Sequence, residues 1–241
     1  MAFRWTNEPA RRFRDRCRWP IALLLVSFLT DRAAQPVHAE PPRLGFSEPI
    51  SDAGDPRTVL VRYQGPIDHP MAGNLEEIGK QISGQHTALI LDLDSQGGTV
   101  AHATLVVEVL NQLRGKITIH TIVRNGRKCL SACIPVFMQG QRRQAGGASV
   151  WMFHGACAPY SNVPSEKATQ WYLELLASSG VSESFLCALK AKGAFSGPGG
   201  FWMSGYELFH EQEAGIITEL LPSWQPEPEI SPPFDRQLRP R

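Results

Sequence analysis

The segment KCLSACIPVF, at positions 128–137, places one serine midway between two cysteines. Pro135 indicates a helix that starts close to Ser131, because proline is tolerated only in the first turn of a helix. A serine there lies beside unpaired backbone N–H groups and the positive end of the helix dipole. That setting suits a nucleophile whose attack creates an oxyanion. A simple N-cap role for Ser131 is the alternative.

A candidate base for this serine is His154, which ends the apolar run VWMFH at positions 150–154 and precedes a glycine. An imidazole at the polar end of a strand can point into a cleft. A serine hydroxyl is a weak nucleophile and needs a neighbouring base. We therefore interpret Ser131 and His154 as a nucleophile–base pair, with a purely structural histidine as the alternative.

Two consecutive glycines, Gly97 and Gly98, follow the segment LDLDS at positions 91–95. Glycine lets the backbone turn sharply and aim an N–H group at a substrate. Taken alone, the pair is equally typical of an ordinary turn.

The first 39 residues have the pattern of a secretory signal peptide. Arginines are concentrated in residues 1–18, the apolar run PIALLLVSFL occupies 20–29, and Val37 and Ala39 match an A-x-A-like cleavage site. The apolar run is too short to span a bilayer, so cleavage after Ala39 is favoured over a retained anchor. The sequence thus predicts a periplasmic or secreted protein.

Four cysteines remain after that cleavage: Cys129, Cys133, Cys157 and Cys187. An even number in an exported chain favours disulfides. A metal site is disfavoured, because a lone C-x3-C pair lacks the second pair of ligands that zinc usually requires. A cysteine nucleophile at Cys129 or Cys133 is a further alternative.

Apolar periodicity divides the chain into alternating strands and helices, which predicts a layered α/β domain. The predicted strands are 58–67, 87–95, 116–123, 148–155 and 216–220, and the predicted helices are 71–82, 99–113, 165–180, 182–192 and 204–215. This single domain, residues 58–221, follows a linker at 40–57 and precedes a Pro-rich tail at 222–241 that is predicted to be disordered. The net charge of +1 excludes a strongly basic nucleic-acid binder.

Four segments, in this order, resemble the proteolytic subunit of the Clp protease. LDLDSQGGTVAHATLVVEVL is similar to that family's glycine turn and following helix, and CLSACIPVFMQGQRR to its nucleophile helix. ASVWMFHG is similar to its strand ending in the catalytic histidine, and FWMSGYELFHEQEAGIITEL to its closing helix and strand. The resemblance covers residues 58–221 and is greatest to exported, cysteine-bearing relatives of ClpP and signal peptide peptidase.

The resemblance implies a ClpP/crotonase-like fold of stacked β-β-α units. It implies Ser131 as nucleophile, His154 as base, and the N–H groups of Gly98 and Ala132 as the oxyanion hole. Residues 156–190 correspond to a protruding segment that mediates contacts between copies in a homo-oligomer. No cofactor is implied, and neither an ATPase partner nor acyl-CoA chemistry is expected outside the cytoplasm.

One departure from the family concerns the acid that would orient the histidine. The matching position lies near Gly200, within SGPGGFW, where no carboxylate is present. Without that acid the imidazole is held less firmly. Lys167 is an alternative base, as lysine is in signal peptide peptidases, with His154 preferred. Three carboxylates are candidate substitutes for the acid: Glu166, Glu174 and Glu207.

The cysteines flanking the site carry a further expectation. If Ser131 meets His154, then Cys129 and Cys157 also lie close together, and a Cys129–Cys157 disulfide is expected. A bond from Cys129 to Cys133 is disfavoured if Cys133 is helical. Cys133 and Cys187 are then left as a second pair or as buried thiols.

Together these interpretations predict an exported serine hydrolase, a peptidase that acts on peptide or protein substrates through an acyl-enzyme. The alternative is a catalytically weak or inactive ClpP-like module that binds peptides or protein partners.

Overall fold

The computed structural model describes residues 45–46, 50–51, 55–82, 84, 86–158, 161, 163–197, 199–211 and 213–222. The predicted signal peptide (1–39) and all but the first residue of the predicted tail lie outside these ranges. Within them, no helix combines the length and apolar character needed to cross a bilayer.

The larger of two sheets has seven strands: β1 Gly45–Phe46, β2 Ile50–Ser51, β3 Thr58–Gln64, β4 Ala88–Asp94, β5 Thr118–Val123, β7 Arg142–Ala145 and β10 Glu219–Leu220. Their order is β1-β3-β4-β5-β7-β10, with β2 also pairing with β3. Strands β3, β4, β5, β7 and β10 are parallel, while β1 and β2 run antiparallel to β3. The first two strands fall in the predicted linker 40–57, which is therefore not wholly a linker.

The smaller sheet consists of β6 (Lys128–Leu130), β8 (Val150–Phe153) and β9 (Phe201–Ser204), with β6 parallel and β9 antiparallel to β8. It joins the larger sheet where Ser95, just past the end of β4, forms a bridge with Cys129 of β6. The N–H of Ser95 donates to the carbonyl of Lys128 over 2.8 Å, and the N–H of Leu130 donates to the carbonyl of Ser95 over 3.0 Å. The ends of β4, β6 and β8 are thereby brought together.

Six helices are present among the described residues: α1 His69–Ile82, α2 Val100–Arg114, α3 Cys133–Phe137, α4 Glu166–Ser178, α5 Glu183–Ala191 and α6 Gly205–His210. The two longest helices, α1 and α2, bury apolar residues at helical spacing, such as Leu75, Ile78 and Ile82 of α1. The predicted cap of α4 is observed, since Ser165 Oγ accepts from the N–H of Ala168 over 3.2 Å. Helices and strands therefore alternate as predicted, and the α/β class is confirmed.

The core is built from the apolar faces of these layers. β4, with the sequence ALILDLD, has five buried residues out of seven, as expected for a parallel strand covered on both faces. Helix α3 is wholly buried, so the segment that carries Ser131 is fixed against the interior. The closing helix is shorter than predicted, because α6 ends at His210, and the final strand is reduced to Glu219–Leu220.

Candidate active site

Ser131 lies in a tight turn between β6 and α3. Its φ of 51° makes it the only residue other than glycine with a positive φ among those described. The Ser131 N–H donates to the carbonyl of Met152 in β8 over 2.8 Å, and its carbonyl accepts from the N–H of Ile134 over 2.9 Å. Left-handed backbone costs a serine roughly 1–3 kcal/mol and persists only where the surroundings impose it. Such a strand–turn–helix exposes a nucleophile at the top of a sheet.

His154 follows β8, the strand that pairs in parallel with β6. Leu130 and Met152 are partners in this register, so Ser131 and His154 leave the same edge of the small sheet, each one residue past the end of its strand. The Nε2 atom of His154 lies 2.7 Å from Ser131 Oγ. The two side chains are thus at hydrogen-bond distance, and their catalytic roles remain predictions.

The other imidazole nitrogen, Nδ1 of His154, is buried and has no hydrogen-bond partner among the described residues. Burial lowers the pKa of His154, and the backbone of Gly155 opposes this in part. Burial disfavours the charged imidazolium, so the imidazole is neutral at pH 7 and available as a proton acceptor.

None of the three candidate acids meets this nitrogen. Glu207 is used in a capping box with Ser204 at the start of α6. The Glu174 carboxylate accepts from Gln170 over 3.0 Å, and Glu166 is exposed in the first turn of α4. The segment before β9 does approach the histidine, because the carbonyl of Gly197 accepts from the N–H of Gly155 over 3.3 Å. The residue of this segment that contacts the histidine's neighbour is Gly197, which has no carboxylate to accept from Nδ1.

The alternative base and the alternative nucleophiles are placed less favourably than His154 and Ser131. Lys167 is exposed on α4, and no contact joins it to Ser131 among the described residues. Cys129 and Cys133 are both fully buried and bonded to each other, so neither has a free thiol.

The glycine turn after β4 packs on the turn of Ser131. A Cβ atom on Gly97, whose φ is 90°, would lie 2.6 Å from the carbonyl oxygen of Leu130 and 3.0 Å from Cβ of Ser131. A Cβ on Gly98 would lie 1.9 Å from the carbonyl oxygen of Ile67. Only glycine therefore allows these two backbone segments to approach so closely.

The N–H groups of Gly98 and Ala132 were both predicted to form the oxyanion hole. Gly98 forms a parallel bridge with Ile67 in which the N–H of Ile67 donates to the carbonyl of Gly97 over 2.8 Å. Because N–H groups alternate in direction along a strand, the N–H of Gly98 points away from Ile67, toward the side of Ser131. Neither this N–H nor that of Ala132, at the start of α3, donates to another described residue. They have the character that an oxyanion hole requires.

The predicted Cys129–Cys157 disulfide is wrong. Cys129 is bonded to Cys133 with a Cα–Cα distance of 5.2 Å, and Cys157 is a free thiol. This distance lies in the usual range for disulfides, because the left-handed Ser131 folds the chain back between the two cysteines. The same bond excludes pairing of Cys133 with Cys187. The disulfide thus braces the nucleophile turn itself and does not link it to the histidine.

One residue near the nucleophile was not identified from the sequence. Tyr172 lies in α4 with an exposed fraction of 1%, and its hydroxyl has no hydrogen-bond partner of normal geometry among the described residues. Burial raises the pKa of the phenol, and the hydroxyl of Ser131 acts in the opposite direction. In the sequence Tyr172 occupies an ordinary core position of an amphipathic helix, so its type and spacing gave no functional signal.

No model of a known protein family matches this chain, and no curated protein matches it in sequence. Solved structures do match its fold. The ClpP protease catalytic domain from Plasmodium falciparum has a TM-score of 0.52 and 17% identity, over 71% of this chain and 88% of that one. ClpP1 from Listeria monocytogenes has a TM-score of 0.50 and 19% identity, over 70% and 92%. A mutant of that ClpP1 has a TM-score of 0.51 and 18% identity, over 68% and 91%. The chain therefore has the ClpP-like fold.

Proposed function

We propose that this protein is a serine hydrolase of ClpP-like fold, a peptidase that acts through an acyl-enzyme on Ser131. The observation that carries the proposal is the 2.7 Å approach of His154 Nε2 to Ser131 Oγ, with the serine on a left-handed strand–turn–helix. A base within hydrogen-bond reach of a serine is the arrangement that activates its hydroxyl.

The chemistry would proceed in two stages. Ser131 Oγ attacks the scissile carbonyl carbon while its proton passes to His154 Nε2, and the carbonyl π electrons move to oxygen. The N–H groups of Gly98 and Ala132 stabilise the resulting oxyanion. When the oxyanion collapses, the C–N bond breaks and His154 returns the proton to the leaving amine. Water, activated by the same imidazole, then hydrolyses the ester.

The missing acid limits the rate that this pair can reach. In a full triad a carboxylate on Nδ1 fixes the tautomer in which Nε2 is the acceptor and stabilises the imidazolium. No described residue does this for His154. We therefore expect turnover that is slow, by a factor on the order of 10⁴, relative to an enzyme with a complete triad.

A fluorophosphonate probe tests the proposal directly. The purified protein should be labelled covalently, and Ser131→Ala should abolish labelling. Ser184→Ala, at an exposed serine of α5, is the matched control and should react like the parent chain. Persistent labelling of Ser131→Ala would remove Ser131 from the nucleophile role.

The base is tested in the same assay by two further variants. His154→Gln should lower the labelling rate by about 10³-fold or more, whereas Lys167→Met should leave it unchanged. The reverse result would assign the base to Lys167.

The second candidate function is a catalytically weak or inactive module that binds peptides or protein partners. The observation in its favour is the unpartnered Nδ1 atom of His154. It predicts no labelling of the parent chain but retained binding of peptides, which can be measured by isothermal titration with an unstructured protein substrate such as casein.

We also propose that the protein is exported to the periplasm or secreted. The N-terminal pattern of basic and apolar residues supports this, and so does the Cys129–Cys133 disulfide, since such bonds persist in oxidising compartments. N-terminal sequencing of the exported protein should find a chain that starts at or near Glu40. An intact Met1 chain embedded in the membrane would contradict it.

A homo-oligomer is proposed through the segment 156–190. Two of its apolar side chains are exposed, Val163 at 65% and Trp171 at 45%. Large apolar side chains that are exposed within one segment are candidates for a protein–protein contact.

A further inference from the structure

Tyr172 occupies a position that a structural role alone does not explain. Its ring is fully enclosed and meets the ring of Phe195 edge-on, with 6.5 Å between the centroids. Phenylalanine would fill this space equally well, whereas a buried hydroxyl without a partner is costly. Tyrosine hydroxyls normally find a hydrogen-bond partner when they are buried, so this one requires a reason.

The helix that carries Tyr172 is attached to the segment that follows His154. One turn earlier in α4, Thr169 Oγ1 accepts from the N–H of Ala156 over 2.9 Å, which attaches this face of the helix to the segment after His154. Residues three apart share a helix face. The carbonyl of Phe195 lies against Gly155 on the same segment.

The hydroxyl of Ser131 opposes the effect of burial on the phenol and lowers its pKa. No hydrogen bond of the usual geometry joins Tyr172 Oη to a described residue. Catalytic hydrogen bonds are often long or poorly aligned in a resting enzyme and tighten as the reaction proceeds.

We propose that Tyr172 is a positioning residue that donates a hydrogen bond from its hydroxyl to Ser131 Oγ, which leaves the serine proton directed at His154 Nε2. The inference rests on the proposed function of Ser131 and deepens it. During attack the Tyr172 proton stays on its own oxygen, the Ser131 proton moves to Nε2, and the new bond forms between Oγ and the carbonyl carbon.

A hydrogen bond from Tyr172 to Ser131 Oγ would compensate for the low basicity of His154. His154 has no carboxylate on Nδ1, and its burial lowers the pKa of the imidazole, so it removes a proton less readily than a triad histidine. A donor to Oγ makes the Ser131 proton more acidic, because a hydrogen bond to the charged form favours that form. The proton transfer is thus assisted from the side of the nucleophile.

The first test compares Tyr172→Phe with the parent chain in fluorophosphonate kinetics. We expect the maximal inactivation rate to fall about tenfold, while the half-saturating probe concentration stays unchanged. The thermal midpoint should not fall, because the O–H group that is removed has no partner of usual geometry in the resting protein. Tyr206→Phe, at an exposed tyrosine of α6, is the matched control and should react at the parent rate. An unchanged maximal rate in Tyr172→Phe would overturn the inference.

A second measurement does not depend on activity. If Tyr172 donates to Ser131, the Ser131 O–H donates in turn to Nε2 of the neutral imidazole, which stabilises the neutral form and keeps the pKa of His154 low. Tyr172→Phe should then raise that pKa. If Tyr172 instead accepts the Ser131 proton, its removal should lower the pKa of His154. An NMR titration, with the His154 signal assigned from His154→Gln, distinguishes the two. No change, or a fall, would refute the inference.

The two failures can be told apart. A parent chain that is not labelled at Ser131 contradicts the proposed function, whereas a labelled parent chain with an unaffected Tyr172→Phe variant contradicts only the role of Tyr172.

Discussion

Cys129 and Cys133 are joined by a disulfide that closes a five-residue loop with Ser131 at its centre. Both cysteines are fully buried, one at the middle of β6 and the other at the first residue of α3. The bond therefore fixes the strand and the helix on either side of the nucleophile and supports the left-handed conformation of Ser131.

The double variant Cys129→Ala/Cys133→Ala should lower the labelling rate of Ser131 by between about tenfold and a hundredfold, because small displacements of a reacting group have effects of this size. The chain-entropy model gives a loss of about 2 kcal/mol in the free energy of unfolding for so short a loop. Labelling kinetics and urea denaturation measure the two effects. Cys157→Ala, which removes a free thiol, is the control; a double variant that reacts like the parent chain would refute this role of the disulfide.

The pH dependence of labelling should report on His154. Burial lowers the pKa of this imidazole, and only its neutral form can accept the Ser131 proton. The rate should therefore rise with pH through a midpoint below the ordinary histidine value of about 6.5 and stay constant above it. A midpoint above 6.5 would indicate a carboxylate near Nδ1 and contradict the arrangement described here.

Substitution of Gly98 tests the close approach to Ile67. Gly98→Ala should lower the free energy of unfolding by roughly 3 kcal/mol, because the added Cβ overlaps the carbonyl of Ile67. It should also abolish labelling, since the N–H of Gly98 is displaced. Gly73→Ala is the control, at an exposed position of α1 with no atom near the new Cβ, and should raise the free energy of unfolding by about 0.5–1 kcal/mol. Equal stability of the two variants would be evidence against the contact.

The proposed oligomer can be tested at Trp171. Light scattering of the parent chain should give a mass above that of one chain, and Trp171→Ser should shift the distribution toward the monomer. Trp202→Ser is the matched control, because Trp202 is also exposed but lies in β9, outside the segment 156–190. A monomeric parent chain at the concentrations used would exclude this proposal.

The long elements were predictable because their apolar periodicity extends over many residues. The helices at 71–82 and 99–113 were placed to within two residues of α1 and α2. The proximity of Ser131 to His154 was also expected, from the helix start at Ser131, the strand that ends at His154 and the resemblance to the Clp proteolytic subunit.

Features that depend on tertiary contacts were missed. Strands β6, β7 and β9 have three or four residues each, too few for a periodic signal. The sequence disfavours a Cys129–Cys133 bond, because the Cβ of a helical Cys133 is expected to point along the helix. Four residues of extended chain span roughly 13 Å, whereas the turn formed by the left-handed Ser131 and the start of α3 brings the two Cα atoms to 5.2 Å.

The left-handed backbone of Ser131 has a consequence for how this protein can evolve. Glycine adopts a φ of 51° without strain, so Ser131→Gly should relieve the fold at the very position where it removes the nucleophile. Selection for stability would then favour glycine at position 131 in any lineage that no longer needs the reaction. Retention of serine at this strained position would indicate selection for its hydroxyl group.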